Sequence, residues 1–240
     1  MTMQVGMVGT DGVLIASDTQ WNNTPTRGPG ENGDLPREPF NARKIIVNHA
    51  KGIAISQARV METARLVATR IISRLKYEDL DYPCDSIRAI GATVLEDVED
   101  FAKRDAHCLI AIALPSPKLY LFYFGDVDGK LGPICQKMEK SKAAGDHVNA
   151  AIFWKERYYK RRPIRKLVPL AAHLIGSAGK LNQGSISGLE IVLCNGSGFH
   201  RIDEDSIHKL EAQADRWDKE IGSLFSDYKI RLGFDPKKAA

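Results

Sequence analysis

Three residues near the head of the chain have side chains that can do chemistry together. Thr2 follows Met1, Asp18 follows the apolar run Val13-Leu14-Ile15-Ala16-Ser17, and Lys44 precedes a second apolar run, Ile45-Ile46-Val47. A threonine hydroxyl is a weak nucleophile at neutral pH and needs a base beside it. If Met1 is removed, Thr2 carries that base itself, because an α-amine is one of the few groups that titrates close to neutrality. Methionine aminopeptidase generally removes Met1 when the second residue is small, so no separate propeptide is needed. A nearby lysine ammonium lowers the pKa of the hydroxyl or the amine. On the dipeptide alone, an ordinary chain start is the commoner reading.

These residues need elements that bring them together. Val5-Gly6-Met7-Val8 and Val13-Leu14-Ile15-Ala16 are apolar runs joined by Gly9-Thr10-Asp11-Gly12. An Asp-Gly pair between such runs is a strong hairpin signal. The hairpin returns Asp18 to the side of Thr2. Lys44 heads the next short strand.

The hairpin, Asp18 after Ala16-Ser17, and Lys44 before Ile45 resemble a β-type subunit of the 20S proteasome, in the N-terminal-nucleophile (Ntn) hydrolase superfamily. The family's catalytic threonine, aspartate and lysine fall on Thr2, Asp18 and Lys44. The resemblance implies that Lys44 keeps the Thr2 amine neutral, that Asp18 orients Lys44, and that a backbone N–H near Ala58 stabilises the oxyanion. Further along, Lys142-Ala143-Ala144-Gly145-Asp146 resembles a glycine-serine turn before a helix, and Ser185-Ile186-Ser187-Gly188 resembles the entry to a late strand. Asp146 stands where the family has a supporting serine, and Gly184 where it has an aspartate. Ser187 matches the remaining supporting serine, and His147 adjoins Asp146 at a position that can face Thr2. Residues 21 to 40, rich in Pro, Gly and Asn, read as an insertion. It is most simply a surface loop, with a rim of the substrate site as the alternative.

The order of elements points to α+β without that help. Strand pairs fall near 3 to 20 and 43 to 56, and helices near 57 to 76 and 84 to 103. A hairpin at 108 to 124 and a strand near 132 to 139 follow. Helices come near 147 to 159 and 163 to 177, then a closing hairpin at Asn195-Gly196-Ser197-Gly198 and a last helix over 204 to 227. Paired strands favour antiparallel sheets over a doubly wound fold. The resemblance implies a four-layer αββα sandwich, two antiparallel sheets between helical layers. The 240 residues, 43% apolar, suit one domain over 1–240.

Thirty-four basic and 30 acidic residues give a net charge of +4, a near balance that points away from nucleic acid and membrane as partners. Cys84, Cys108, Cys135 and Cys194 have no metal-ligand spacing and read as reduced core thiols of a cytoplasmic protein. No metal or organic cofactor is implied. The basic run from Lys155 to Lys166 reads as a helix connection or a subunit contact, and the stripe Ile207, Leu210, Ala214, Trp217, Ile221, Leu224 as a packing face. The function these features lead to is a threonine peptidase working on peptide or unfolded protein inside a ring or closed assembly of its own copies, with an unfoldase as a further candidate partner. Two alternatives stay open: a catalytically silent ring subunit, and an Ntn hydrolase of small amides.

Overall fold

Strand β1 (Met3–Val8) folds back at Gly9 to Asp11 onto β2 (Gly12–Ser17), with Gln4 opposite Ser17 and Val8 opposite Val13. Gly12 is required here, since a side chain would strike the Cys194 carbonyl of the neighbouring strand. The computed structural model describes residues 2–22, 39–99, 104–145, 149–182 and 185–227. Most of the 21 to 40 insertion therefore lies outside the described residues. Its two ends, β3 (Gln20–Asn22) and β4 (Pro39–Asn41), pair as a small antiparallel ladder.

The first sheet has the order β10-β1-β2-β11-β12, where β10 is Ser141–Gly145, β11 Glu190–Asn195 and β12 Gly198–Arg201. The second runs β5-β6-β7-β8-β9, with β5 at Ile45–Asn48, β6 at Ile53–Arg59, β7 at Ala106–Ile112, β8 at Lys118–Val127 and β9 at Lys130–Met138. Every neighbouring pair is antiparallel. Both faces of each sheet are covered, which explains why β1, β2, β7 and β11 are almost continuously buried rather than alternating.

The apolar residues sort into three layers of core. Val13, Ile15, Ala54, Leu109, Ala111, Leu119 and Val192 fill the space between the sheets. Helices α1 (Met61–Arg74) and α2 (Cys84–Asp97) cover the outer face of the second sheet through Val67, Ile71, Ile87 and Val94. On the first sheet lies α4 (Val168–Leu181), through Ala171, Leu174 and Ile175; α3 (Asn149–Tyr158) and α5 (Glu204–Asp227) pack against it. Each fully buried Val, Leu or Ile among them contributes about 1.5–3 kcal/mol on burial. The architecture is the αββα sandwich.

Several boundaries differ from the sequence reading. Lys142 to Gly145 form an edge strand beside β1, with Met3 opposite Gly145, rather than a turn. Small residues at Ala143, Ala144 and Gly145 hide the strand signal, and Gly145, at φ 110°, leaves the ladder where a side chain would collide with the Thr2 carbonyl. Helix α4 starts at Val168, with Pro169 in its first turn, because residues 163 to 167 are held by the hairpin turn: Ile164 N–H donates to Asp11 Oδ1 at 2.7 Å. The basic run is partly occupied in the same contact. Tyr159 donates its hydroxyl to the Val8 carbonyl (2.6 Å) and Arg161 donates to that of Gly9 (3.2 Å).

Candidate active site

Thr2 sits at the head of β1, Asp18 one residue past the end of β2, and Lys44 one residue before β5. The first two share a sheet and the third enters from the other. Their side chains meet where the sheets adjoin. Lys44 Nζ lies 3.0 Å from Thr2 Oγ1 and 2.7 Å from Asp18 Oδ2. Asp18 and Lys44 have no solvent exposure and Thr2 has 2%.

Asp18 is fixed by the strand beside it. Its Oδ1 accepts the Met3 N–H at 2.8 Å, and its own N–H donates to the Met3 carbonyl at 3.1 Å. One carboxylate oxygen is thereby spent on the backbone and the other faces the ammonium. The face of Trp21, on β3, lies 4.6 Å from Lys44 Nζ and supplies a cation–π contact on a third side. Burial dominates the electrostatics. It pulls Lys44 below the usual lysine range against the opposing pull of Asp18, and raises Asp18 above the usual carboxylate range against Lys44 and the Met3 N–H. Burial thus works against the charged form of both groups, and their mutual attraction works for it.

Sequence reading missed the device that holds Lys44. Glu190, at the start of β11, is 6% exposed, and its Oε1 accepts both the Lys44 N–H (2.5 Å) and the Ile45 N–H (2.7 Å). Its Oε2 is paired with Arg201 on β12, and Arg201 also donates to the Ile45 carbonyl at 2.9 Å. This clamp ties the first sheet to the head of β5. A glutamate starting an apolar run carries one signal, that a charge so placed in a buried strand needs a partner. Gln4 and Ser56 make a second bridge between the sheets, with the Ser56 hydroxyl donating to Gln4 Oε1 at 2.6 Å.

The supporting residues are less uniform. Ala58 is fully buried on β6, one residue past Gln57, whose N–H donates to the Lys44 carbonyl at 3.1 Å. Ser187 reaches the site through its main chain: its carbonyl accepts the N–H groups of Thr19 (3.0 Å) and Gln20 (3.2 Å), holding the segment after Asp18. Asp146, His147 and Gly184 lie outside the described residues. Among the described residues no group of three or more His, Cys, Asp or Glu could hold a metal ion, and no helix is long and apolar enough to cross a membrane.

No family model matches the chain, and no curated protein matches its sequence. Solved structures do match its fold. Anbu (ancestral beta-subunit) from Yersinia bercovieri superposes with a TM-score of 0.69 at 14% identity, covering 96% of this chain and 100% of that one. The Anbu (Gly-1) mutant from Hyphomicrobium sp. strain MC1 gives 0.67 at 16%, covering 98% and 100%. The helical assembly of the Anbu complex from Pseudomonas aeruginosa gives 0.66 at 14%, covering 97% and 100%. The fold is thus the proteasome-like Ntn fold, and the likeness to a 20S proteasome β-type subunit is corrected: these structural neighbours are Anbu proteins.

The Glu190 clamp has a measurable consequence. Glu190→Gln keeps the shape but has one acceptor oxygen where the carboxylate uses two, so it turns an amide N–H toward a donor. The variant should lose about 2 kcal/mol in urea unfolding, seen as a lower midpoint with an unchanged slope. A loss within about 0.5 kcal/mol would mean the clamp does not hold the sheets together.

Proposed function

We propose that the chain is an N-terminal threonine hydrolase that cleaves peptide bonds inside a cytoplasmic assembly of its own copies. The observation that carries this reading is the reach of one buried ammonium, Lys44 Nζ, to both Thr2 Oγ1 (3.0 Å) and Asp18 Oδ2 (2.7 Å). Loss of Met1 exposes the Thr2 amine on the residue that carries the nucleophile. Thr2 Oγ1 then attacks the substrate carbonyl, and its proton passes to the amine, directly or through a water. Lys44 keeps the local potential positive, favouring the neutral amine and the developing alkoxide, and Asp18 fixes Lys44 in place. A backbone N–H near Ala58 receives the oxyanion. The amine returns the proton to the leaving nitrogen, the C–N bond breaks, and water releases the acyl group from Oγ1.

Assembly is supported by the outer helices. Ile152, Phe153 and Tyr158 on α3 and Leu224 on α5 are exposed apolar side chains. They belong to the helices that flank a cavity of about 380 Å³ lined by Trp154, Tyr158, His173 and Trp217. The structural relative from Pseudomonas aeruginosa is described as a helical assembly. The Lys155 to Lys166 run and the exposed end of the α5 stripe are the contact surfaces of this reading.

Three outcomes are expected. Thr2→Ala should abolish hydrolysis of a panel of peptidyl-coumarin amides while leaving the unfolding midpoint nearly unchanged, and Thr2→Ser should retain part of the activity; mass spectrometry of the native protein should find Thr2 at the N-terminus. Full turnover in Thr2→Ala, or Met1 retained in active protein, rejects the mechanism. Next, Lys44→Met removes the cation beside the amine, so the amine becomes harder to deprotonate. The acid limb of the kcat/KM profile should then move up by about one pH unit, whereas Lys44→Arg, which keeps a permanent charge, should lower the rate without moving the limb. A limb unmoved in Lys44→Met would assign Lys44 another role. Finally, light scattering at micromolar concentration should give a multimer whose stability toward salt depends on the basic run. The mass of one chain in a protein that still hydrolyses amides would favour a small-amide hydrolase instead.

A further inference from the structure

Helix α4 packs against both α3 and α5, and the three leave between them a cavity of about 380 Å³, within the roughly 300–1,000 Å³ range of ligand sites. Its walls include a run of rings carried from one helix to the next. Trp154 stacks on Tyr158 within α3, with centroids 5.5 Å apart and planes at 19°. Trp154 meets His173 of α4 edge-on at 5.3 Å, and His173 meets Trp217 of α5 in the same way at 6.0 Å. Each ring is held by its neighbour, so the walls stand formed before anything enters. None of Thr2, Asp18 or Lys44 lines this cavity.

Two observations bear on what fits. The first is charge. Arg162 and Lys166 line the cavity, and among the described residues no acid does. The segment that bears these two cations is held by the first hairpin: the Thr10 N–H donates to the Arg162 carbonyl at 3.1 Å, and the Ile164 N–H to Asp11 Oδ1 at 2.7 Å. The second is His173, a polar side chain only 5% exposed in an aromatic wall. Its Nδ1 has no hydrogen-bond partner, and Asp218 Oδ1, at 3.8 Å, stops short of being one. Burial holds the imidazole below the ordinary histidine range, so at neutral pH it adds polarity without charge. A polar group left unpartnered costs stability in a core, whereas a few polar groups set among apolar walls are what orient a ligand.

We propose that this cleft binds a small, flat aromatic carboxylate, with its ring between Trp154 and Trp217 and its carboxylate at Arg162 and Lys166. Aromatic walls favour a flat ring over a flexible chain, because rings gain from stacked and edge-to-face contact beyond the area they bury. The paired cations select an anion, and the planar guanidinium fork of Arg162 matches a carboxylate. The site stands or falls apart from the hydrolase reading, since it shares no residue with the cluster at Thr2.

Isothermal titration calorimetry of the full chain with naphthoate tests this. One molecule per chain should bind with a dissociation constant below about 1 mM. Uncharged naphthamide should bind about tenfold more weakly, and so should octanoate, an anion without a ring, by about the same factor. Arg162 and Lys166 are exposed, and the double variant Arg162→Gln/Lys166→Gln should weaken naphthoate about tenfold while leaving naphthamide unchanged. Trp217→Leu should weaken both. Absence of saturable binding, equal affinity for naphthamide or octanoate, or unaltered affinity in Arg162→Gln/Lys166→Gln would each overturn the proposal. So would binding confined to single chains and absent from assembled protein, judged by light scattering on the same samples, since a neighbouring copy would then fill the cavity. The charge variant decides the matter even if Trp217→Leu fails to fold.

Discussion

A lysine with no solvent exposure is the constraint around which this molecule is arranged. An ammonium removed from water is costly unless its charge and its donors are met. Lys44 finds a carboxylate oxygen, a hydroxyl oxygen and an indole face, drawn from residues 18, 2 and 21. None of these comes from its own sheet. The two sheets must therefore meet in one register and at one end for the charge to be tolerated at all, and the apolar layer between them, from Val13 to Val192, supplies the adhesion without specifying that register.

Specification falls to polar contacts that cross the layer. Glu190 and Arg201 grip the main chain on either side of the Lys44–Ile45 peptide, while Gln4 and Ser56 join β1 to β6. Buried polar groups gain little in net stability when satisfied and cost much when displaced. A slip of one residue would orphan several at once. The precision of the cluster at Thr2 is thus inherited from side chains that never touch it.

Much of this was legible in the sequence, for identifiable reasons. The Asp11-Gly12 turn between apolar runs fixes the first hairpin, and with it the return of Asp18 to β1, because hairpin register follows from turn chemistry. The stripes of α1, α2 and α5 are helical in period. What stayed hidden depended on distance in the chain. Glu190 and Lys44 are 146 positions apart, and no local pattern links them. Strand β10 was masked by small residues that carry no β signal of their own, since Ala143, Ala144 and Gly145 are strand only because β1 lies beside them.

The clamp at Glu190 also orders events in time. Thr2 and Asp18 are made before Lys44 and are joined by a hairpin local in the chain. Lys44 follows, yet the clamp on the Lys44–Ile45 main chain comes from Glu190 and Arg201, 145 to 156 positions further along. A nascent chain thus carries Thr2 without the anchored cation beside it until Glu190 and Arg201 have been made. The order of residues along the polypeptide acts as a delay, leaving the cluster of Thr2, Asp18 and Lys44 unanchored until a distant strand pair has been made.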